Sequence, residues 1–176
     1  QMKEQFTFLY GPDVIEILGS YTYEDSQDLF HREPFIVHAK STVGNFDAVF
    51  INIHTDPDQA YQEIPDLALV MEDASGRFNE PDVVLLGDLN ADCAYYDEES
   101  IDPLRTRYEW LVPNDADTNV SDSTACAYDR IIVTQEILES IPEGQPRFKV
   151  LIDPVIDEVS DHFPVMSSFN LCGDSD

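Results

Sequence analysis

Positive charge is scarce in this chain: nine Lys and Arg stand against 36 Asp and Glu, a formal net charge of −27. That excludes the basic stripe by which most proteins hold a phosphate backbone, and at long range the field repels one. Two circumstances would offset the repulsion. High salt or divalent cations screen such a field, to a Debye length of ~3 Å at 1 M, or residues outside this sequence carry compensating charge. The imbalance concerns solubility and steering rather than fold. Cysteine is scarce too, limited to Cys93, Cys126 and Cys172. Three do not make a disulfide scaffold and no CxxC spacing offers a zinc site; one pair and a spare are compatible with a secreted protein. No apolar run is long enough to span a bilayer, so no membrane partner is expected. No leader peptide is visible, but the chain opens on Gln1-Met2-Lys3-Glu4 and runs straight into an apolar segment. That looks like an internal start, which leaves localisation open.

What is present suffices for a packed core. The 176 residues are 43% hydrophobic, with ten Phe and eight Tyr, which suits one domain or a large piece of one. Apolar, β-branched and aromatic runs recur at 6–10, 14–18, 35–39, 46–53, 83–86, 128–133, 147–152 and 163–169, and each predicts a strand. Helices are expected at 57–72, where Pro65 should interrupt, and at 103–112. Pro57 and Pro103 suit a first helical turn, which lacks partners for its N–H groups anyway. Strands mixed with a few helices indicate an α/β or α+β fold, sheets central and helices outside.

Polar residues collect where these strands end. His54 closes the run Ile51-Asn52-Ile53, and Asp88 and Asn90 follow Val83-Val84-Leu85-Leu86-Gly87. Asp129 stands at the entrance of a strand, and Asp161-His162 precede another. Alpha/beta folds commonly build sites at such ends. Phosphodiester hydrolysis needs a metal to polarise phosphate, a base for water and an acid for the leaving oxygen. Asp88, Asn90 and Asp161 offer hard oxygens suited to magnesium or calcium. His54 and His162 are able to divide the proton transfers near neutral pH. Each needs a carboxylate to fix its tautomer, and Asp129 and Glu4 are the candidates.

Three segments carry a resemblance. Gly87-Asp88-Leu89-Asn90-Ala91-Asp92-Cys93, Cys126-Ala127-Tyr128-Asp129-Arg130-Ile131 and Ser160-Asp161-His162-Phe163-Pro164-Val165 resemble the signature segments of the deoxyribonuclease I family, in its order and at similar spacing. Lys3-Glu4-Gln5-Phe6, His31-Arg32-Glu33-Pro34-Phe35, Phe50-Ile51-Asn52-Ile53-His54 and Trp110-Leu111-Val112-Pro113 are similar to it as well. The likeness implies a four-layer sandwich, two central β-sheets flanked by helices, here lacking its N-terminal portion. Residues 1–170 would form the C-terminal two-thirds of the catalytic domain, and 171–176 a tail.

The roles implied are those of a secreted, magnesium- or manganese-dependent endonuclease acting on DNA. His162 with Asp129 would be the general base and His54 with Glu4 the general acid, or the reverse. Asp88, Asn90 and Asp161 would surround metal and phosphate, while Arg32, Tyr128 and Asn90 match positions that touch DNA. Cys93 and Cys126 match a long-loop disulfide worth roughly 3–4 kcal/mol, which leaves Cys172 unpaired or bonded outside this chain. A structural calcium site is implied at Asp117, Asn119, Asp122 and Thr124, and more loosely a second at Asp25, Asp28 and Glu33. An N-terminal segment carrying a metal-binding Glu is not in this chain and is expected as a separate or cleaved piece, without which the fragment should be inactive. Actin binding, known for some members, is not carried over.

Plainer readings exist for single residues. A lone His at a strand end is usually structural, and His31 and His38 read as ordinary surface or loop histidines. Asp129-Arg130 alone reads as an ion pair, and the Asp- and Ser-rich loop 114–124 alone as a solvated turn. Two other functions fit the same motifs: a phosphoesterase of the same fold acting on phosphoinositide or sphingomyelin, and a non-catalytic binding homologue. The segment Cys126 to Arg130 disfavours the first.

Overall fold

The computed structural model describes residues 5–153 and 156–172. Among them the principal element is a six-stranded sheet: β1 (Ile15–Thr22), β2 (Phe35–Ser41), β3 (Asp47–Asn52), β4 (Val83–Asp88), β5 (Glu109–Trp110) and β6 (Asp129–Val133). Their spatial order is β1-β2-β3-β4-β6-β5. Every pair is antiparallel except β3 and β4, which are parallel and therefore need a crossover. The helix α1 (Ala60–Phe78) supplies it. A second sheet joins β7 (Lys149–Val150) to β8 (Val165–Met166).

Strand alternation divides the apolar residues between two faces. Val49, Ile51, Val83, Leu85 and Ile132 pack with Ile64, Leu67, Met71 and Ala74 of α1. Ala48, Val84, Ile131 and Val133 pack on the other face with Val112, Ile137, Val165 and Phe169. Both faces of β4 are thus covered, which is why Val83-Val84-Leu85-Leu86 is an unbroken apolar run. The α/β class and its central sheet are as the sequence implied, with helices on one face and the small second sheet on the other.

Four expectations change. Residues 6–10 form no strand, because among the described residues no neighbouring strand pairs with them; Leu9 is 94% exposed. The helix expected from Pro57 begins at Ala60 and runs through Pro65 to Phe78. Pro65 lies near the helix start, and burial of the α1 face offsets the one hydrogen bond it removes. The helix expected over 103–112 is short: α2 (Pro103–Arg107) is capped by Asp102, whose Oδ1 accepts from Leu104 and Arg105 N–H. The chain then turns extended at Tyr108 and pairs as β5 with β6. The runs at 147–152 and 163–169 each shorten to two paired residues.

Candidate active site

The carboxyl ends of β3 and β4 and the start of β6 lie side by side, since Asp88 pairs with Asp129 in the sheet. Gly87 makes the approach possible. Its φ is +147°, and a Cβ there would fall 1.9 Å from the Ile53 carbonyl oxygen, immediately before His54. Asn90 has a left-handed φ of 49°, which Asn tolerates. Its backbone N–H donates to Asp88 Oδ1 at 3.0 Å and its amide nitrogen to the Thr55 carbonyl at 3.1 Å. Thr55 returns the tie, donating its hydroxyl to the Leu89 carbonyl at 2.6 Å.

Both imidazoles converge on one oxygen. His54 Nε2 lies 3.4 Å and His162 Nε2 3.6 Å from Asp88 Oδ2. The other ring nitrogen of His162, Nδ1, is 2.7 Å from Asp129 Oδ2. This bond orients the ring, with Nδ1–H donating to Asp129 and Nε2 aimed at Asp88. Asp129, with the charges of Asp88 and Asp161 behind it, raises the His162 imidazole to about 9. Asp88 is held above the ordinary carboxylate range, chiefly by burial and then by Asp129. Oxygens of Asp88 and Asp129 and a nitrogen of His162 come within 4.8 Å of one another.

Of the other residues singled out in the sequence, some lie at this centre and others do not. Arg32 donates from Nε to the His54 carbonyl and from a terminal nitrogen to the Thr55 carbonyl, both at 2.9 Å. The Tyr128 ring lies 6.0 Å from the His162 ring. Asp161 is exposed and reaches His162 through its charge; its backbone carbonyl accepts from Val120 N–H. Glu4 lies outside the described residues. Cys93 and Cys126 form a disulfide, with Cα atoms 6.0 Å apart, and Cys172 is free and exposed. Asp129 does not pair with Arg130, whose buried guanidinium donates instead to the Val112 and Ala91 carbonyls. His38 is not a surface histidine: it is buried on β2, at the opposite end of the sheet, 2.9 Å from Asp47 and close to Glu80.

The two calcium expectations each meet a buried oxygen without a partner. In the loop 117–124, Asn119 Oδ1 is buried with no hydrogen bond, while its amide nitrogen donates to Thr124 Oγ1 at 3.4 Å. Asp117 Oδ1 accepts from Asn119 N–H; Asp122 is exposed and takes no part in these bonds. In the turn after β1, Asp25 Oδ1 is likewise buried and unpaired, while Oδ2 accepts from Phe30 N–H. Asp28, at a left-handed φ of 55°, and Glu33 do not converge with Asp25 into a cluster of side-chain oxygens. Each orphaned oxygen offers one hard ligand to a cation such as Ca²⁺, and no carboxylate cluster of the described residues surrounds either.

Three residues escaped sequence reasoning. Tyr95 places its ring 5.6 Å from Tyr128, extending the aromatic row. Asp92 accepts from Ala127 and Cys93 N–H, tying the segment after β4 to that before β6. Glu63 is 1% exposed on the apolar face of α1. Its spacing from Ala60, Ile64 and Leu67 was the available signal: an acid in an otherwise apolar helical stripe.

Two histidines beside one carboxylate at strand ends, one of them held by a second carboxylate, make an arrangement able to exchange protons in an α/β fold. Residues 8–162 match the Endonuclease/Exonuclease/phosphatase family, and the chain belongs to it. Over 174 residues it is 37% identical to Deoxyribonuclease-1-like 1 of Bos taurus, covering 93% of this chain and 55% of that protein. Over 180 residues it is 37% identical to Deoxyribonuclease gamma of Homo sapiens, covering 93% and 59%. Its fold matches an endonuclease/exonuclease/phosphatase family protein from Bacteroides thetaiotaomicron with a TM-score of 0.62 at 20% identity, over 89% of this chain and 64% of that one. The chain spans less than two thirds of the length of these curated relatives.

Proposed function

We propose that this chain carries the acid–base half of a secreted, divalent-metal-dependent endonuclease that hydrolyses phosphodiester bonds of DNA. The observation that carries the reading is the convergence of His54 and His162 on Asp88 Oδ2, with Asp129 behind His162. Its substrate class rests on likeness to proteins named deoxyribonucleases.

His162, with Nδ1 held by Asp129, takes the proton of the attacking water at Nε2. His54 gives a proton to the leaving oxygen, and Arg32 holds its backbone carbonyl in place. Glu4 is proposed to orient the His54 ring. Asp88, Asp161 and the amide oxygen of Asn90 are the residues that would hold Mg²⁺ or Mn²⁺, an oxygen set suited to such ions. When bound, the cation supplies positive charge that polarises the phosphate and offsets the carboxylates around His162. Tyr128 and Arg32 would face the phosphate backbone, and Asn119 and Asp25 would each offer an oxygen to a Ca²⁺ steadying its loop.

An N-terminal segment beyond these residues is part of the proposal. The relatives are considerably longer. In addition, half-buried Phe50 and Leu86 border a cavity of about 540 Å³ between the main sheet and β8, on a face where further strands would find apolar partners. The test is plasmid degradation by the full-length protein with Mg²⁺ and Ca²⁺. Activity that disappears in His162→Ala is expected. Phosphate release from lipid head groups with DNA left intact would overturn the reading in favour of a same-fold phosphoesterase.

A further inference from the structure

Around His54 the polar contacts close into a ring that begins and ends on one side chain. Glu63 Oε1 accepts from His31 N–H at 2.8 Å, and Oε2 accepts from Asp56 N–H at 3.0 Å. The next residue after His31 is Arg32, whose guanidinium donates to the carbonyls of His54 and Thr55. Two residues past His54 is Asp56, and the ring is complete. Both bonds of Glu63 reach loops rather than its own helix, joining segments 32 and 7 residues away in the chain.

A carboxylate is an expensive choice for that position. Ala60, Ile64, Leu67 and Met71 show that this face of α1 is otherwise apolar, and burial raises Glu63 above its ordinary range. A leucine there would pack at less cost in desolvation, but it would leave two backbone N–H groups of the site loops without acceptors. We infer that Glu63 is a positioning residue of the candidate active site, a buried two-oxygen clamp that sets the His54 loop and the Arg32 loop at a common distance. It touches no reacting atom. It acts through His54, whose ring must meet Asp88 Oδ2 within hydrogen-bonding range of a bound phosphate ester, and small displacements of such a group cost rate steeply. The inference rests on the nuclease reading for its consequence in turnover, though not for its geometry.

The test uses the full-length protein and the variant Glu63→Gln, which keeps volume but presents an N–H to one of the two donors. NMR signals of the His31 and Asp56 amides and of the His54 imidazole should move, while those of the His162 ring stay. For DNA cleavage, kcat per folded molecule should fall about tenfold or more with KM changed less than twofold. Unmoved His54 signals, or a rate loss that vanishes once the folded fraction is counted, would overturn it. Should Glu63→Gln not fold, Glu63→Asp keeps both acceptors and withdraws them by one methylene, with the same two readouts. Failure of both variants to fold also overturns the inference, since the carboxylate would then hold the fold itself. Because the imidazole signals are read without substrate, shifted His54 signals in the variant together with no DNA cleavage by the unsubstituted full-length protein would sink the nuclease reading and leave the clamp standing.

Discussion

His162 carries a strong electrostatic signature at the centre of the candidate site. Its hydrogen bond to Asp129, aided by the charges of Asp129, Asp88 and Asp161 and opposed by burial, raises it to about 9. Because 9 lies above the 6.5 of an unfolded histidine, the imidazolium stabilises the metal-free fold fully below pH 6.5, and that contribution is lost as pH rises through 9. A base must be unprotonated near neutral pH, so the proposed role requires the charge around Asp88 to be balanced. Proton NMR of the metal-free protein should therefore show His162 titrating near 9. Addition of Mg²⁺ should lower the midpoint, and Asp129→Asn should lower it in metal-free protein by removing the largest raising contribution. A metal-free midpoint close to 6.5 would contradict this account. Asp88, Asn90, Asp129 and His162 were all visible in the sequence as polar residues closing or opening apolar runs. For Glu63 the sequence offered only an acid in an apolar stripe, and for His38 no signal, because their meaning lies in contacts with segments distant along the chain.

Between elements, the disulfide joins the turn after β4 to the approach of β6, the two segments that carry Asp88, Asn90, Tyr128 and Asp129. It closes a separation of 33 residues. Asp92 reinforces it through the N–H groups of Ala127 and Cys93. Replacing Cys93 and Cys126 together by Ala should cost about 3 kcal/mol by denaturant titration. Loss of activity should appear at lower denaturant than loss of the α1 signal in far-UV circular dichroism, because the covalent constraint is removed at the site end of the sheet. Coincident transitions at the wild-type midpoint would count against it. Strand positions were legible from apolar runs, whereas their lengths were not. A run becomes a strand only where a neighbour offers a ladder, which residues 6–10 lack and residues 109–110 find on β6. Pro65 misled for a related reason: local propensity argued for a break, and packing of Ile64, Leu67 and Met71 against the sheet prevailed.

For the whole molecule, the net charge of −27 sets the terms of any encounter with a phosphate backbone. Long-range repulsion between like charges weakens with ionic strength, so added salt should raise or preserve the association rate here, where it lowers that of a cationic nuclease. The expected result is cleavage of plasmid DNA that holds or rises between about 0.1 and 1 M salt, the range over which the Debye length falls from ~10 to ~3 Å. A steep decline over that range would show that local cationic contacts govern binding instead. No described helix is long and apolar enough to cross a membrane.

The chain's own order of residues determined the α/β class, the strand ends at which chemistry collects, and the residue types able to move protons and hold a cation, because periodicity and polarity are local properties. Tertiary structure alone decided that His54 and His162 meet at one oxygen of Asp88, that Asp129 serves His162 rather than Arg130, and that a glutamate inside a helix answers to two loops. Those are distances between segments far apart in sequence, set by how the sheet pairs and what its faces bury.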